Sequence, residues 1–238
     1  MPRTSRSEHY RREVSRVEGF SDAVFAFAIT LLVVSLEVPH TYHELMEVMQ
    51  GFLPFACSFT LLIWIWHQHN LFFRRFGMQD ALTVTINAAI LFVVLFYVYP
   101  LKFMFSTMFG GMGLLDIPNP ELTVGSVRRV FVIYGVGFVV LFLLFASLYG
   151  HAYRHRTALG LTPLETYDAR AAIREQLVSV SVGLCSILAA LALPDRAVGM
   201  AGVLYTLMGP AHAYNGWSSG RRRKALEEQA PAPAAMTE

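Results

Sequence analysis

Acidic and basic side chains lie together at the start of a long apolar run near the beginning of the chain. The segment from Arg16 to Asp22 reads Arg-Val-Glu-Gly-Phe-Ser-Asp, and residues 23–36 contain no Asp, Glu, Lys or Arg. One interpretation makes Ser21 the N-cap of a helix, with Asp22 offsetting the positive helix dipole. The other places Asp22 inside a longer helix that spans a membrane, where a carboxylate has to face protein and find a partner.

Histidines form a second group of candidates, near the ends of apolar segments: His67, His69, His151, His155 and His212. Imidazoles bind metal ions and relay protons near neutral pH. The two cysteines, Cys57 and Cys185, lie within apolar segments and indicate buried side chains rather than ligands. We expect no metal, because no cysteine lies near the histidines and His151 and His155 share a helix face without a third ligand. We expect no enzyme, because the chain contains no nucleophile elbow, phosphate loop or dinucleotide motif.

Apolar segments that could cross a membrane make up most of the chain. Of its 238 residues, 55% are hydrophobic and only 15% are charged, unlike a soluble globular domain. A hydrocarbon core of ~30 Å requires ~20 apolar helical residues. Six segments lack Asp, Glu, Lys and Arg: 23–36, 48–73, 81–101, 130–153, 176–194 and 197–220. The predicted fold is an all-α integral membrane protein with six transmembrane helices.

The first of these segments is too short to cross the core by itself. A helix from Asp22 to Glu37 would be ~24 Å long at ~1.5 Å per residue. We therefore extend the helix back to Val17, which favours the interpretation that Asp22 is inside it and paired. The residues that follow Glu37 contain no small-residue cleavage site, which argues against a signal peptide.

The distribution of basic residues predicts the orientation of the chain. Fifteen of the 19 Lys and Arg residues lie on one side of the six-span topology, so we expect both termini in the cytoplasm and the protein in the cell (inner) membrane. Three regions are predicted: a basic cytoplasmic tail (1–15), a six-helix membrane domain (16–217) and a disordered cytoplasmic tail (218–238). The Ala-Pro-rich end of the last region favours disorder.

The first helix has two faces of different character. Five of its residues share an arc of ~80° at 100° per residue, with Asp22 ~100° away from the first of them: Ala23, Phe27, Thr30, Val34 and Glu37. This mostly apolar stripe is either a buried packing face or a face turned towards a different environment, and the spacing does not choose between them.

The same helix resembles the transmembrane protein 175 family of potassium channels. The family signature, R-x-x-x-F-S-D, is matched at every fixed position by Arg16, Phe20, Ser21 and Asp22. Further along the chain, Trp64 and His67 resemble the W-x-x-H of the second helix, and Asn87 with Pro100 resembles the pattern of the third. The resemblance spans all six predicted helices.

By this resemblance, four copies of the chain surround an axis and the first helix lines a pore selective for potassium over sodium. The expected constriction consists of Phe27, Leu31 and Val34, with Thr30 supplying a hydroxyl layer. Family members usually carry Ile or Leu at the position of Phe27. Glu37 would concentrate cations at the outer mouth.

No carbonyl filter is expected in this pore. Thr123-Val124-Gly125 echoes the opening of a potassium-filter sequence, but the nearby Arg128 and Arg129 would put two cations beside a cation filter. Selection would therefore depend on side chains.

Behind the pore wall, the resemblance implies an interhelical network formed by the signature residues and their partners: Arg16, Phe20, Ser21, Asp22, Trp64, His67 and Asn87. The expected partners are further copies of the chain, membrane lipid, and potassium and other monovalent cations. We expect no cofactor, metal or nucleic acid.

Two other functions remain open from the residues. A proton- or ion-coupled secondary transporter would use Asp22 and the cytoplasmic-side histidines, and usually shows paired helix breaks, of which Gly209-Pro210 is the one strong candidate. An intramembrane metalloenzyme would need three convergent ligands.

Overall fold

The computed structural model describes residues 15–35, 38–111, 124–194 and 197–229. Within them the chain is helical and contains no strand. These residues form eight α-helices: α1 (Arg16–Val34), α2 (Tyr42–Gln50), α3 (Phe52–Phe76), α4 (Ala81–Gly111), α5 (Val124–Arg154), α6 (Pro163–Ala192), α7 (Met200–Val203) and α8 (Met208–Gln229). A 3-10 turn, Leu204–Leu207, joins α7 to α8. The predicted all-α class is confirmed.

Four helices are long and apolar enough to cross a membrane, namely α1, α4, α5 and α6. A fifth candidate consists of α2 and α3 together, which are bent by 44° around Gly51. The described residues therefore contain four spans, or five if the bent pair counts as one span.

The predicted sixth span, 197–220, is not one continuous helix. It is divided into the four-residue α7, the 3-10 turn and α8. Pro210 lies in the first turn of α8, where its missing N–H removes no helical hydrogen bond. The helix then continues to Gln229, so residues 218–229, predicted as part of a disordered tail, are helical.

Helix α5 begins at Val124, before the apolar segment 130–153. Arg128 and Arg129 lie in the first turns of this helix. The guanidinium of Arg128 donates hydrogen bonds to the carbonyl oxygens of Leu191 and Leu193 at the end of α6, each at 3.1 Å. A cation is favourable there because the last carbonyls of a helix carry partial negative charge.

Helix α6 also begins earlier than its apolar segment. Thr162 is the N-cap in a capping box with Glu165, and Pro163 occupies the first position of the helix. The polar residues that precede the apolar segment 176–194 therefore share one 30-residue helix with it.

Glycine permits the close approach of α4 to α5. A Cβ atom at Gly137 would overlap the ring of Tyr97, and the Tyr97 hydroxyl donates a hydrogen bond of 2.7 Å to the carbonyl of Ile133. Aromatic packing holds the other end of the bundle, where the rings of Phe72 and Tyr149 meet edge to face at 5.2 Å. The central core thus unites α3, α4, α5 and α6, and α1 packs against α3 and α4 at its side.

Candidate functional site

Helix α1 begins before the signature segment rather than within it. The backbone N–H of Glu18 donates to Oγ of Ser15 at 3.2 Å, and the N–H of Ser15 donates to Oε2 of Glu18 at 2.8 Å. This reciprocal capping makes Ser15 the N-cap, while the Ser21 hydroxyl donates to the carbonyl of Val17 inside the helix. The interpretation that places Asp22 inside the helix is therefore confirmed, and the 19 residues of α1 span ~28 Å.

Five polar side chains join α1 to α3 and α4, and we call this group the α1 anchor: Ser21, Asp22, Trp66, His69 and Asn87. Asn87 Nδ2 donates to Ser21 Oγ at 3.0 Å, and His69 Nε2 lies 2.6 Å from Asn87 Oδ1. Because an amide oxygen only accepts, Nε2 of His69 carries the hydrogen. The indole N–H of Trp66 donates to Asp22 Oδ1 at 2.8 Å.

The centre of the α1 anchor is closed to solvent. Ser21, His69 and Asn87 are 0%, 1% and 3% exposed. The His69 ring lies between Phe25 and Phe73, with ring centroids at 5.4 and 4.8 Å. Each buried polar group has a partner, so removing one of them would leave another unpaired in apolar surroundings. This arrangement opposes rotation of α1 against α3 and α4.

Two residues predicted for the network, Trp64 and His67, lie elsewhere. Trp64 packs against Phe142 and His212, with ring centroids at 5.6 and 5.8 Å, and His67 is exposed. The α1 anchor instead contains Trp66 and His69. Of the signature residues, Arg16 and Phe20 are also exposed.

The spacing of apolar residues in α3 indicates which of its histidines is buried. The pattern W-x-x-H occurs twice in the helix, as Trp64 to His67 and as Trp66 to His69. Apolar residues that recur every three or four positions, such as Leu62, Ile65, Phe72 and Phe76, are buried, and His69 falls on their face. His67 is two residues earlier, ~200° around the helix.

The opposite face of α1 is open. Phe27 is 56% exposed and Val34 67%, Thr30 is exposed, and Leu31 is half-buried at the edge of the face. The Thr30 hydroxyl donates to the carbonyl of Ala26 at 2.9 Å. The apolar stripe is therefore not a packing face within the chain, because the buried face of α1 consists of Ser21, Phe25, Ala28 and Leu32.

The C-terminal end of α1 is held by a residue that the sequence did not single out. Nζ of Lys102, two residues after Pro100 in α4, donates to the carbonyl oxygen of Ser35 at 3.0 Å and to its hydroxyl at 3.1 Å. An ammonium group here complements the negative end of the helix dipole. Glu37, predicted at the outer mouth, lies outside the described residues.

The remaining histidines are paired separately. His151 Nε2 lies 2.9 Å from Asp80 Oδ2, and His212 bridges Glu175 at 3.1 Å and Ser179 at 3.0 Å. The ring of His155 lies 4.4 Å from that of His151. In the described part of the chain, no three His, Cys, Asp or Glu side chains converge as a set of metal ligands.

Asp80 caps the start of α4 and carries a perturbed carboxyl. Its oxygens accept hydrogen bonds from the Thr83 hydroxyl at 2.6 Å and from the Thr83 N–H at 3.3 Å. Partial desolvation opposes ionisation, but the bonds to Thr83 and His151 outweigh it and lower the pKa of Asp80 to about 2.

Comparison with known proteins gives a family match over the region that contains the anchor. Residues 16–97 match the family described as endosomal/lysosomal potassium channel TMEM175. A potassium channel of Marivirga tractuosa is 36% identical over 225 residues, which cover 90% of this chain and 91% of the relative. A potassium channel of Chamaesiphon minutus is 33% identical over 98 residues, 37% of this chain and 47% of that protein.

Solved structures agree in fold. The crystal structure of a single-substitution variant of the potassium channel MtTMEM175, bound to a nanobody-MBP fusion, has a TM-score of 0.76 at 36% identity and covers 89% of this chain and 95% of its own. A lysosomal potassium-selective channel TMEM175 homologue from Chamaesiphon minutus, with a TM-score of 0.52 at 23% identity over 90% of this chain and 99% of its own, shares the fold. Since the Marivirga relative is matched along nine-tenths of both chains, this chain belongs to the TMEM175 family of potassium channels.

Proposed function

We propose that four copies of the chain assemble in the cell membrane around a potassium-selective pore lined by α1. One observation carries this proposal. The apolar stripe of α1 is open within the chain, while the opposite face of the same helix is locked by the α1 anchor. The Marivirga relative is named a potassium channel, which fits the proposal.

An open apolar face alone would suit a lipid-facing helix equally well. Two features favour the pore. The stripe contains the hydroxyl of Thr30 between Phe27 and Val34, and α1 is held at both ends, by the anchor and by Lys102. A helix whose outer face only meets fluid lipid has no need of such a fixed rotation, whereas a pore wall requires each copy to present the same side chains.

Side chains would perform both gating and selection. Rings of Phe27, Leu31 and Val34 offer no ligands to a dehydrating ion, so they would gate the pore through wetting and dewetting. The Thr30 hydroxyl donates its hydrogen to Ala26, which leaves the oxygen lone pairs for a cation. Four such oxygens, rather than backbone carbonyls, would favour potassium over sodium, and Glu37 would concentrate cations at the outer mouth.

In this proposal each copy spans the membrane six times, with the 197–220 region forming an interrupted sixth crossing and both termini in the cytoplasm. The positive-inside bias of the basic residues supports the orientation. The proposed transporter function has no such support, because the relatives are named potassium channels and the histidines are separately paired.

Replacement of Thr30 by Val tests the pore face. The substitution keeps the shape of the side chain and removes the oxygen, so we expect potassium-over-sodium permeability to fall by about tenfold, which corresponds to ~1.4 kcal/mol. The measurement is the reversal potential under potassium and sodium gradients after reconstitution.

Thr85→Val is the matched control, since the Thr85 hydroxyl makes the same bond to the carbonyl four residues earlier on an exposed face of α4. Its reversal potential should equal that of the unmodified protein. An unchanged reversal potential in Thr30→Val would show that this face of α1 does not line the pore.

A further inference from the structure

A cavity of about 300 Å³ lies between α3, α4 and α5, next to the 3-10 turn. Its lining is almost wholly apolar and includes Leu61, Val93 and Phe138. No residue of α1 contributes to it, so it is separate from the stripe and from the α1 anchor. A volume of this size falls at the lower end of the ~300–1,000 Å³ typical of ligand pockets.

Two buried tyrosine hydroxyls at the cavity lack a hydrogen bond of good geometry. Tyr134 is 6% exposed, and its hydroxyl lies near the backbone of Met104 without meeting hydrogen-bonding geometry with any described residue. The hydroxyl of Tyr205 lies near Ser186 in the same way. Both residues line the cavity. By contrast, Tyr97, which also lines it, donates to the carbonyl of Ile133. A buried hydroxyl without a partner is costly, so an occupant that brings a hydrogen-bond acceptor is favoured.

Water is a poor occupant of such a space. A buried water needs two to four polar partners, and the lining offers little besides tyrosine hydroxyls. The cavity also reaches the surface of the bundle, because Thr206 at its rim is exposed and Met104 and Met108 are half-buried. In a membrane protein, the molecules present at that surface are lipids.

The depth of Tyr134 identifies the part of a lipid that would reach it. Arg129 lies five residues earlier in α5, ~7.5 Å along the helix axis. A guanidinium belongs at the membrane surface, so Tyr134 lies just inside the hydrocarbon boundary. This is the level of the ester carbonyls, and the deeper lining residues, such as Leu141 and Ile65, would surround a hydrocarbon chain.

We propose that this cavity binds an acyl chain of a membrane phospholipid, with an ester carbonyl accepting a hydrogen bond from the Tyr134 hydroxyl. The lipid fills the space between α3, α4 and α5 and supports the 3-10 turn beside it. This inference does not depend on the pore, and it holds whether or not α1 conducts ions.

The test is lipid retention by the purified protein. Phospholipid bound per chain is counted by native mass spectrometry through successive detergent washes. We expect a phospholipid to survive the washes on the unmodified chain, and Leu61→Phe, which places a larger ring in the cavity wall and narrows the space for an acyl chain, to reduce its retention about tenfold. Tyr134→Phe removes only the hydroxyl and should reduce it about 2- to 10-fold.

Leu188→Phe is the matched control, because Leu188 is exposed on α6 and lines no part of the cavity. It should retain as much phospholipid as the unmodified chain. If Leu61→Phe fails to fold, crystals of the unmodified protein grown with a phospholipid brominated on its acyl chains should show anomalous bromine density between Leu61 and Tyr134.

Several results would overturn the proposal: retention of detergent or free fatty acid only, equal retention in Leu61→Phe and Leu188→Phe, or bromine density everywhere except the cavity. Ion flux is recorded in the same preparations. A loss of flux with retained lipid counts against the pore alone, and lost lipid binding with intact flux counts against this site alone.

Discussion

At the centre of the α1 anchor, Nε2 of His69 lies 2.6 Å from Oδ1 of Asn87. The apolar surroundings offer these two atoms few other hydrogen-bond partners. Asn87 also donates to Ser21, so a single amide links α3, α4 and α1. In apolar surroundings, the loss of one member costs more than the bond itself, because the remaining group stays desolvated and unpaired. The residues of this cluster therefore act as a unit.

Replacement of His69 by Phe tests that unit. The ring shape is nearly preserved, but the amide oxygen of Asn87 loses its donor, so we expect the free energy of unfolding to fall by about 1–3 kcal/mol. His67→Phe, on the exposed side of the same helix, should change it by less than about 0.5 kcal/mol. Denaturant titrations in mild detergent measure both, and equal effects would contradict the assignment of His69 to the anchor.

Asp22 provides a second prediction at the same scale. Removing its carboxylate leaves the Trp66 indole N–H without its acceptor and loosens the rotation of α1, so Asp22→Ala should lower potassium flux into liposomes by about tenfold or more. Glu37→Gln should have a smaller effect, because a charge at a wide mouth only raises the local cation concentration. Wild-type flux from both variants would refute this role of the anchor.

At the scale of the element, several helix ends are fixed by side chains, some of which come from a neighbouring helix. Ser15 caps α1 at one end and Lys102 holds it at the other, while Asp80 caps α4 and contacts His151 near the end of α5. Helix ends carry unpaired backbone groups and partial charges, so a side chain placed there satisfies a helix and attaches a neighbour at once.

The hydrogen bonds of Asp80 with Thr83 and His151 predict a pH dependence of stability. Because the pKa of Asp80 is lowered to about 2 from its ordinary value of 3.8, the folded state gains stability from the carboxylate above about pH 4 and loses it as the pH falls towards 2. Asp80→Asn keeps an N-cap residue but not the charge.

The variant should therefore melt at a lower temperature than the unmodified protein at pH 5–7, and the difference should vanish near pH 2. Thermal unfolding in detergent across this range measures it. A difference that does not change with pH would assign the effect to capping geometry instead of charge.

At the scale of the whole molecule, a single chain leaves one helix face without a partner. Phe27 and Val34 of α1 are both more than half exposed, although α1 lies against α3 and α4 on its other side. Burial of this face requires either lipid or further copies of the chain. The proposed tetramer places it around water and ions.

Phe27→Ser tests this arrangement. A polar ring at the constriction remains wetted, so potassium flux through reconstituted protein should rise by about tenfold. Phe92→Ser is the control, since Phe92 is an exposed phenylalanine on α4, away from the proposed pore. Equal flux changes in the two variants, or a mass in detergent corresponding to a single chain, would contradict the tetrameric pore.

The features that depend on local chemistry could be predicted from the sequence alone. Apolar run lengths predicted the helices α1, α3, α4, α5 and α6, since a bilayer imposes both length and hydrophobicity. The short first run also predicted that Asp22 lies within a helix and is paired, and the signature predicted the family. These features depend on residues that are close together in the chain.

Other features depend on contacts between helices, and only the tertiary structure shows them. Both W-x-x-H pairs satisfy the same spacing, and only the packing of α3 against α1 and α4 buries His69 and exposes His67. The bond from Lys102 to Ser35 joins positions 67 residues apart, and the break before α8 interrupts a run that is apolar enough to be continuous. These features depend on which helix surfaces pack against each other across the bundle, and this packing cannot be predicted from residues that are neighbours in the sequence.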